Sequence, residues 1–104
     1  MSEYKIVACD LDGTLLNSNL EVSSENLNGI NDLKKMGVDF VPSSGRTICE
    51  IDLKIINNPN IRYIIYSNGA GIYDKVNDKK ELLCMTRTEL LTAYNIIKKY
   101  PCYI

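Results

Sequence analysis

The chain has 104 residues, 45% hydrophobic and 24% charged, with a formal net charge of −1. That is enough for one small folded domain, and the charge balance gives no electrostatic case for nucleic acid or a membrane surface as a partner. No histidine is present, so a catalytic triad or a His-ligated zinc cannot be built from this chain. No apolar run has the length of a transmembrane helix, and Met1-Ser2-Glu3-Tyr4-Lys5 lacks the apolar core of a signal peptide. Cys9, Cys49, Cys84 and Cys102 are widely spaced without metal-site spacing. Reduced thiols and a cytoplasmic location are the expectation.

The first predicted strand, Tyr4–Cys9, is near-continuously apolar and is expected to be buried on both faces. It runs directly into Asp10-Leu11-Asp12-Gly13-Thr14-Leu15-Leu16. Residues two apart on a strand share a face. Asp10 and Asp12 therefore lean toward one site at the strand's C-terminal end, where open α/β sheets bind ligands. Two carboxylates that close are unfavourable unless a proton or a cation separates them. The pair points to a divalent metal, Mg²⁺ given all-oxygen ligands, and to a division of labour between nucleophile and acid/base. A strand ending in an Asp-Gly turn is the plainer reading. An EF-hand loop also matches Asp10, Asp12, Thr14, Ser18 and Glu21 by spacing. But Leu15 stands where that loop needs glycine, and a strand rather than a helix precedes it.

Ser23 or Ser24 can cap a helix running to about Met36, with Leu27, Ile30 and Leu33 on one face and Gly37 as its stop. Val38–Val41 is a second strand, closed by Pro42. Ser43-Ser44-Gly45-Arg46 follows, just before a second helix. A hydroxyl and backbone N–H groups at a helix start form an anion site; a strand-to-helix turn with a cap is the plainer alternative. Arg46 has two readings, facing substrate or forming a surface salt bridge. The second helix begins near Thr47, carries Ile48, Ile51 and Ile55 on one side, and breaks at Asn57-Asn58-Pro59-Asn60. Ile61–Tyr66 is a third strand, followed by Asn68-Gly69-Ala70, a strong turn sequence in which Asn68 has a structural role. This alternation argues for a parallel sheet with right-handed crossovers. Tyr63, Tyr66 and Tyr73 are expected to pack rather than bind. A hairpin of Gly71–Asp74 and Leu82–Thr86 around Val76–Lys79 comes next. Thr86 and Glu89 form a capping box for a last helix with Leu90, Tyr94 and Ile97 as its buried stripe, Lys98 and Lys99 near its end, and Pro101 as its stop.

The Asp10–Leu16 block resembles the first motif of the haloacid dehalogenase (HAD) superfamily. Ser44-Gly45-Arg46 resembles its second motif in the Cof-like form, and Asn68-Gly69-Ala70 resembles a further Cof-like signature. The resemblance implies an α/β, Rossmann-like parallel sheet, an incomplete HAD core, with a β-hairpin and a terminal helix leading to a missing cap. Residues 1–86 would be the partial core with the hairpin, and 87–104 the helix and the start of the absent cap. It also implies a Mg²⁺-dependent phosphatase acting on small phosphate monoesters, such as sugar phosphates, through an aspartyl-phosphate. Asp10 would be the nucleophile and Asp12 the general acid, then base. Mg²⁺ would sit on the Asp10 carboxylate and the Asp12 main-chain carbonyl. The Leu11 N–H would face a phosphate oxygen, Gly13 and Thr14 would form the tight turn, and Ser44 with the Gly45 N–H would hold the phosphoryl group.

A phosphomutase shares these motifs, and a non-catalytic remnant or interaction module is the reading from another class. Family members continue into a mobile cap and then return with a lysine and a Gly-Asp motif. Lys98, Lys99, Asp74 and Asp78 do not replace them. The chain is thus expected to be an N-terminal fragment, inactive alone. Its unpaired Ile6–Cys9 edge would be open to self-association.

Overall fold

Strands of this chain pair in the order in which they are made. The computed structural model describes residues 3–103. In it β1 (Ile6–Asp10), β2 (Asp39–Ser43), β3 (Tyr63–Tyr66), β4 (Gly71–Asp74) and β5 (Lys79–Leu82) form one sheet in sequence order. The first three strands are parallel, joined by crossovers, and β4 and β5 add antiparallel to the same sheet. The predicted α/β sheet is therefore present, extended by the hairpin into a mixed five-stranded one. No helix of the described residues is long and apolar enough to cross a membrane.

Helix α1 (Ser24–Lys35) starts where Ser23 accepts a hydrogen bond from the Asn26 N–H at 3.2 Å. It ends before Gly37, whose φ of +76° lies in the left-handed region open to glycine. Its covering face is narrower than predicted: Ile30 is buried and Leu33 packs against the core, but Leu27 is exposed. The core gathers Leu11, Leu15, Ile30, Phe40, Ile55 and Ile64 between α1, the sheet and the segment that follows β2.

Five further sequence expectations need correction. β1 is not buried on both faces: among the described residues it is an edge strand paired only with β2, and Ile6 is 58% exposed. Burial of a strand needs a neighbour on each edge and a layer on each face, and apolar composition supplies neither.

Pro42 does not close β2; it lies inside the strand, opposite Cys9. Asp39 N–H donates to Lys5 on the β1 side and Ser44 N–H to Ile65 on the β3 side. The two-residue period therefore aims the position of Pro42's missing donor at β3, where the ladder register is limited to Ser43 opposite Ile65.

The continuous second helix splits into a 3-10 turn at Ile48–Glu50 and a one-turn helix α2 (Leu53–Ile56). Glu50 accepts from the Thr47 N–H at 2.8 Å and from its hydroxyl at 2.9 Å, and Asp52 accepts from the Lys54 N–H at 2.7 Å. Two local caps within six residues compete with one uninterrupted helix and win. Ile51 and Ile55 still enter the core.

The hairpin is tighter than predicted. Asp74 pairs with Lys79, so the turn is residues 75–78 and the second strand is the exposed Lys79–Leu82 rather than Leu82–Thr86. Asp74 accepts from the Val76 N–H at 3.1 Å and the Asn77 amide at 2.9 Å, while Asp78 takes φ +48°. Finally, α3 (Arg87–Ile97) has the predicted Thr86–Glu89 capping box, with Glu89 N–H to Thr86 at 3.2 Å and Thr86 N–H to Glu89 at 2.7 Å. Its apolar stripe is not buried: Leu90, Tyr94 and Ile97 are exposed. A helix can be capped by its own residues, but its stripe needs a second surface to cover it.

Candidate active site

The parallel register sets Asp10 opposite Ser43, so the C-terminal ends of β1 and β2 are level. Ala8, Cys9, Asp10, Ser43, Ser44, Gly45 and Asn68 line one open cleft of about 440 Å³ there. Three of the residues singled out from sequence thus meet: Asp10, Ser44 and Gly45. The other two lie beside it. Leu11 is fully buried behind the cleft, in the core. Asp12 turns its carboxylate to Arg46. Because β1 ends at Asp10, the alternation that would carry Asp12 to the same face stops two residues short of it. A tight turn follows instead, with Gly13 at φ +75° and Leu16 N–H donating to the Leu11 carbonyl at 2.9 Å. A separate, apolar hollow of about 130 Å³ lies between Leu16, Leu20, Leu27 and Ile55 and shares no residue with the cleft.

Ser44 is buried, and its Oγ accepts the Arg46 backbone N–H at 3.0 Å. The loop from Ser44 to Arg46 is clasped from β3: Ser67 N–H donates to Arg46 O at 2.8 Å and Asn68 N–H to Ser44 O at 3.0 Å. Ser67, Asn68 and Gly69 achieve this in three successive left-handed conformations, with φ of +50°, +56° and +93°. Such backbone is costly and persists where its surroundings hold it. Asn68 also lines the cleft and lies against Gly45. Sequence reading assigned Asn68 a turn role only; the Asn-Gly-Ala signature was the signal that could have placed it at the site.

Arg46 grips Asp12 with two hydrogen bonds, Nε to Oδ2 at 2.9 Å and Nη2 to Oδ1 at 2.6 Å, and its Nη1 donates to Glu50 O at 3.2 Å. Of the two readings open for Arg46, the structure shows the ion pair. The hydrogen bond to Asp12 is the main reason the guanidinium is pushed above its ordinary value. Partial burial, and then the neighbouring Asp10 charge, push the Cys9 thiol up, so Cys9 is not poised as a thiolate.

Among the described residues no cluster of three His, Cys, Asp or Glu side chains forms. Among the residues lining the cleft, Asp10 alone carries a carboxylate, a hard oxygen donor. Mg²⁺ is commonly held by one or two carboxylates together with water and substrate phosphate, so the donor present fits that ion.

Known proteins share this arrangement of strands and sequence. The chain is 41% identical over 71 residues to the phosphatase YwpJ of Bacillus subtilis, covering 67% of this chain and 25% of that one. It is 35% identical over 72 residues to the 5-amino-6-(5-phospho-D-ribitylamino)uracil phosphatase YcsE of the same organism, covering 69% and 29%. The solved structure of a haloacid dehalogenase-like hydrolase from B. subtilis superposes with a TM-score of 0.70 at 35% identity, over 91% of this chain and 32% of that one. The chain spans about a quarter of the length of the curated relatives it matches. The family model for haloacid dehalogenase-like hydrolases matches residues 7–104, from β1 through both loops of the cleft to α3, and the chain belongs to that family.

Proposed function

We propose that this protein is a phosphatase that hydrolyses small phosphate monoesters, sugar phosphates or similar, through an aspartyl-phosphate on Asp10. The observation that carries this reading is the shared cleft of Asp10, Ser44 and Gly45 at the C-terminal ends of adjacent parallel strands, in a chain whose relatives include phosphatases. The substrate class follows the name of YcsE, whose substrate is a phosphorylated small molecule.

Asp10 is exposed at the cleft, as a nucleophile must be. Its carboxylate attacks phosphorus as the bond to the ester oxygen breaks. Asp12 gives its proton to the departing alkoxide and then takes one from the water that cleaves the acyl phosphate. Such acid–base assistance is worth ~10²–10⁴-fold. Because the Ser44 oxygen accepts from Arg46 N–H, its own O–H is free to donate to a phosphoryl oxygen, beside the Gly45 and Leu11 N–H groups. Mg²⁺, held by the Asp10 carboxylate and the Asp12 carbonyl, would supply charge neutralisation for the phosphoryl oxygens. The reading places the protein in the cytoplasm, with its four cysteines free. It also holds that the open edge of β1 pairs with another strand, that of a second copy when the chain is alone.

The test is Mg²⁺-dependent hydrolysis of p-nitrophenyl phosphate by the intact protein beside Asp10→Asn. Turnover is expected to vanish in the variant. Wild-type turnover by Asp10→Asn at saturating Mg²⁺ overturns the nucleophile.

A further inference from the structure

No residue lining the cleft is basic, so no side-chain cation of the lining faces a phosphoryl dianion set beside the Asp10 carboxylate. Arg46 is next along the chain from the cradle, and its backbone is tied to Ser44. Its guanidinium spends one N–H from each of Nε and Nη2 on Asp12 and one from Nη1 on the Glu50 carbonyl. Two of its five N–H groups remain for another acceptor. The pair is not sealed: the Arg46 side chain is 29% exposed and that of Asp12 50%. Carboxylate and phosphate match the same planar fork, so they compete for it. While the fork is closed, both Asp12 oxygens are engaged as acceptors and the side chain is outside the cleft.

We propose that Arg46 is a positioning residue. It holds Asp12 by both carboxylate oxygens before an anion binds, and it yields Asp12 when a phosphoryl group over Ser44 and Gly45 takes the fork. Asp12 is then free to turn toward the ester oxygen. Asp12 thus reaches the cleft only after the phosphoryl group has arrived, which couples binding to catalysis through one side chain. The proposal rests on the phosphatase reading of the cleft, and its test separates the two.

The probe is inorganic phosphate, and the readouts are its dissociation constant and the NMR signal of the Arg46 Nε–H. The proteins are the intact wild type, Arg46→Met, Asp12→Ala and the double variant. Asp12→Ala, which frees the fork, is expected to bind phosphate roughly tenfold more tightly, the scale of a hydrogen bond to a charged group. In the Arg46→Met background that gain should shrink to about threefold or less, the remainder being simple relief of repulsion. The Nε–H signal should move both on Asp12→Ala and on adding phosphate to the wild type. Arg46→Lys, which keeps the charge and loses the fork, should recover part of the phosphate affinity but not the coupling; it also stands in should Arg46→Met fail to fold. Equal gains from Asp12→Ala in both backgrounds, or an Nε–H signal that ignores Asp12→Ala, overturn the clamp alone. Absence of phosphate binding in every protein overturns the release step together with the phosphatase reading.

Discussion

Gly45 and Asn68 touch across the mouth of the cleft: a Cβ on Gly45 would lie 2.8 Å from the Asn68 side-chain oxygen. Asn68 comes from the β3–β4 connection and Gly45 from the loop after β2, so one contact joins both walls of the site. Gly45→Ala is expected to swing the Asn68 amide aside, because the atom it meets is the end of a movable side chain. Stability should fall by about 1 kcal/mol or less, while phosphate affinity should drop several-fold. Unchanged phosphate binding by a folded Gly45→Ala protein would count against a role for this wall.

Gly71 is different, because what lies over it cannot move cheaply. It pairs with Tyr66 across β3 and β4, and a Cβ there would come within 2.2 Å of the ring. The ring is buried. Gly71→Ala should therefore destabilise by about 1–3 kcal/mol, as overpacking does, read as a lower urea midpoint at unchanged slope. Adding Tyr66→Leu should restore part of the loss, since the two residues share one volume. A Gly71→Ala midpoint equal to wild type would refute this account.

Acid sensitivity should trace in part to Asp74. Arg62 donates to both of its oxygens at 3.3 Å, and Asn77 adds further hydrogen bonds. These contacts, Arg62 first, hold the Asp74 carboxyl below the usual carboxylate range. The folded form therefore binds its proton less readily than the unfolded chain, whose value is about 3.9. The stabilisation is fully present above that value and is lost as pH falls through the lower folded value. Asp74→Asn should flatten the fall in melting temperature below pH ~4. Parallel acid limbs for wild type and variant would remove Asp74 from the explanation.

The open edge of β1 makes a further prediction. Unpaired backbone flanked by exposed Ile6 and Val7 is a template for strand addition. Light scattering on the 104-residue chain should show concentration-dependent association, and Val7→Lys should suppress it. A stable monomer at high concentration would end this idea.

That Asp10 and Ser44 would share a cleft was legible because each stands at the end of an apolar strand, and one parallel crossover suffices to bring two such ends together. The caps at Ser23 and Thr86 were legible for a similar reason, since each is a hydrogen bond closed within three residues. The strand Lys79–Leu82 was not, because it is exposed throughout and carries no hydrophobic period. It forms through backbone pairing to β4 and through contacts such as Lys80 over the Tyr73 ring at 5.0 Å. The break between Ile48–Glu50 and α2 was missed where an isoleucine spacing suited to one helix concealed two competing caps.

What the sequence determined by itself was therefore local: the tight turn at Gly13, the helix starts, the order of the first three strands and the chemistry presented at their ends. Only the tertiary structure decided that β1 and α3 leave their apolar residues uncovered, that Asn68 reaches Gly45, and that Asp12 lies in the grip of Arg46, 34 positions away. The reason is physical. A cap or a turn is satisfied by neighbours in the chain. Burial and ion pairing depend on which distant elements arrive alongside, and no short stretch of sequence carries that information.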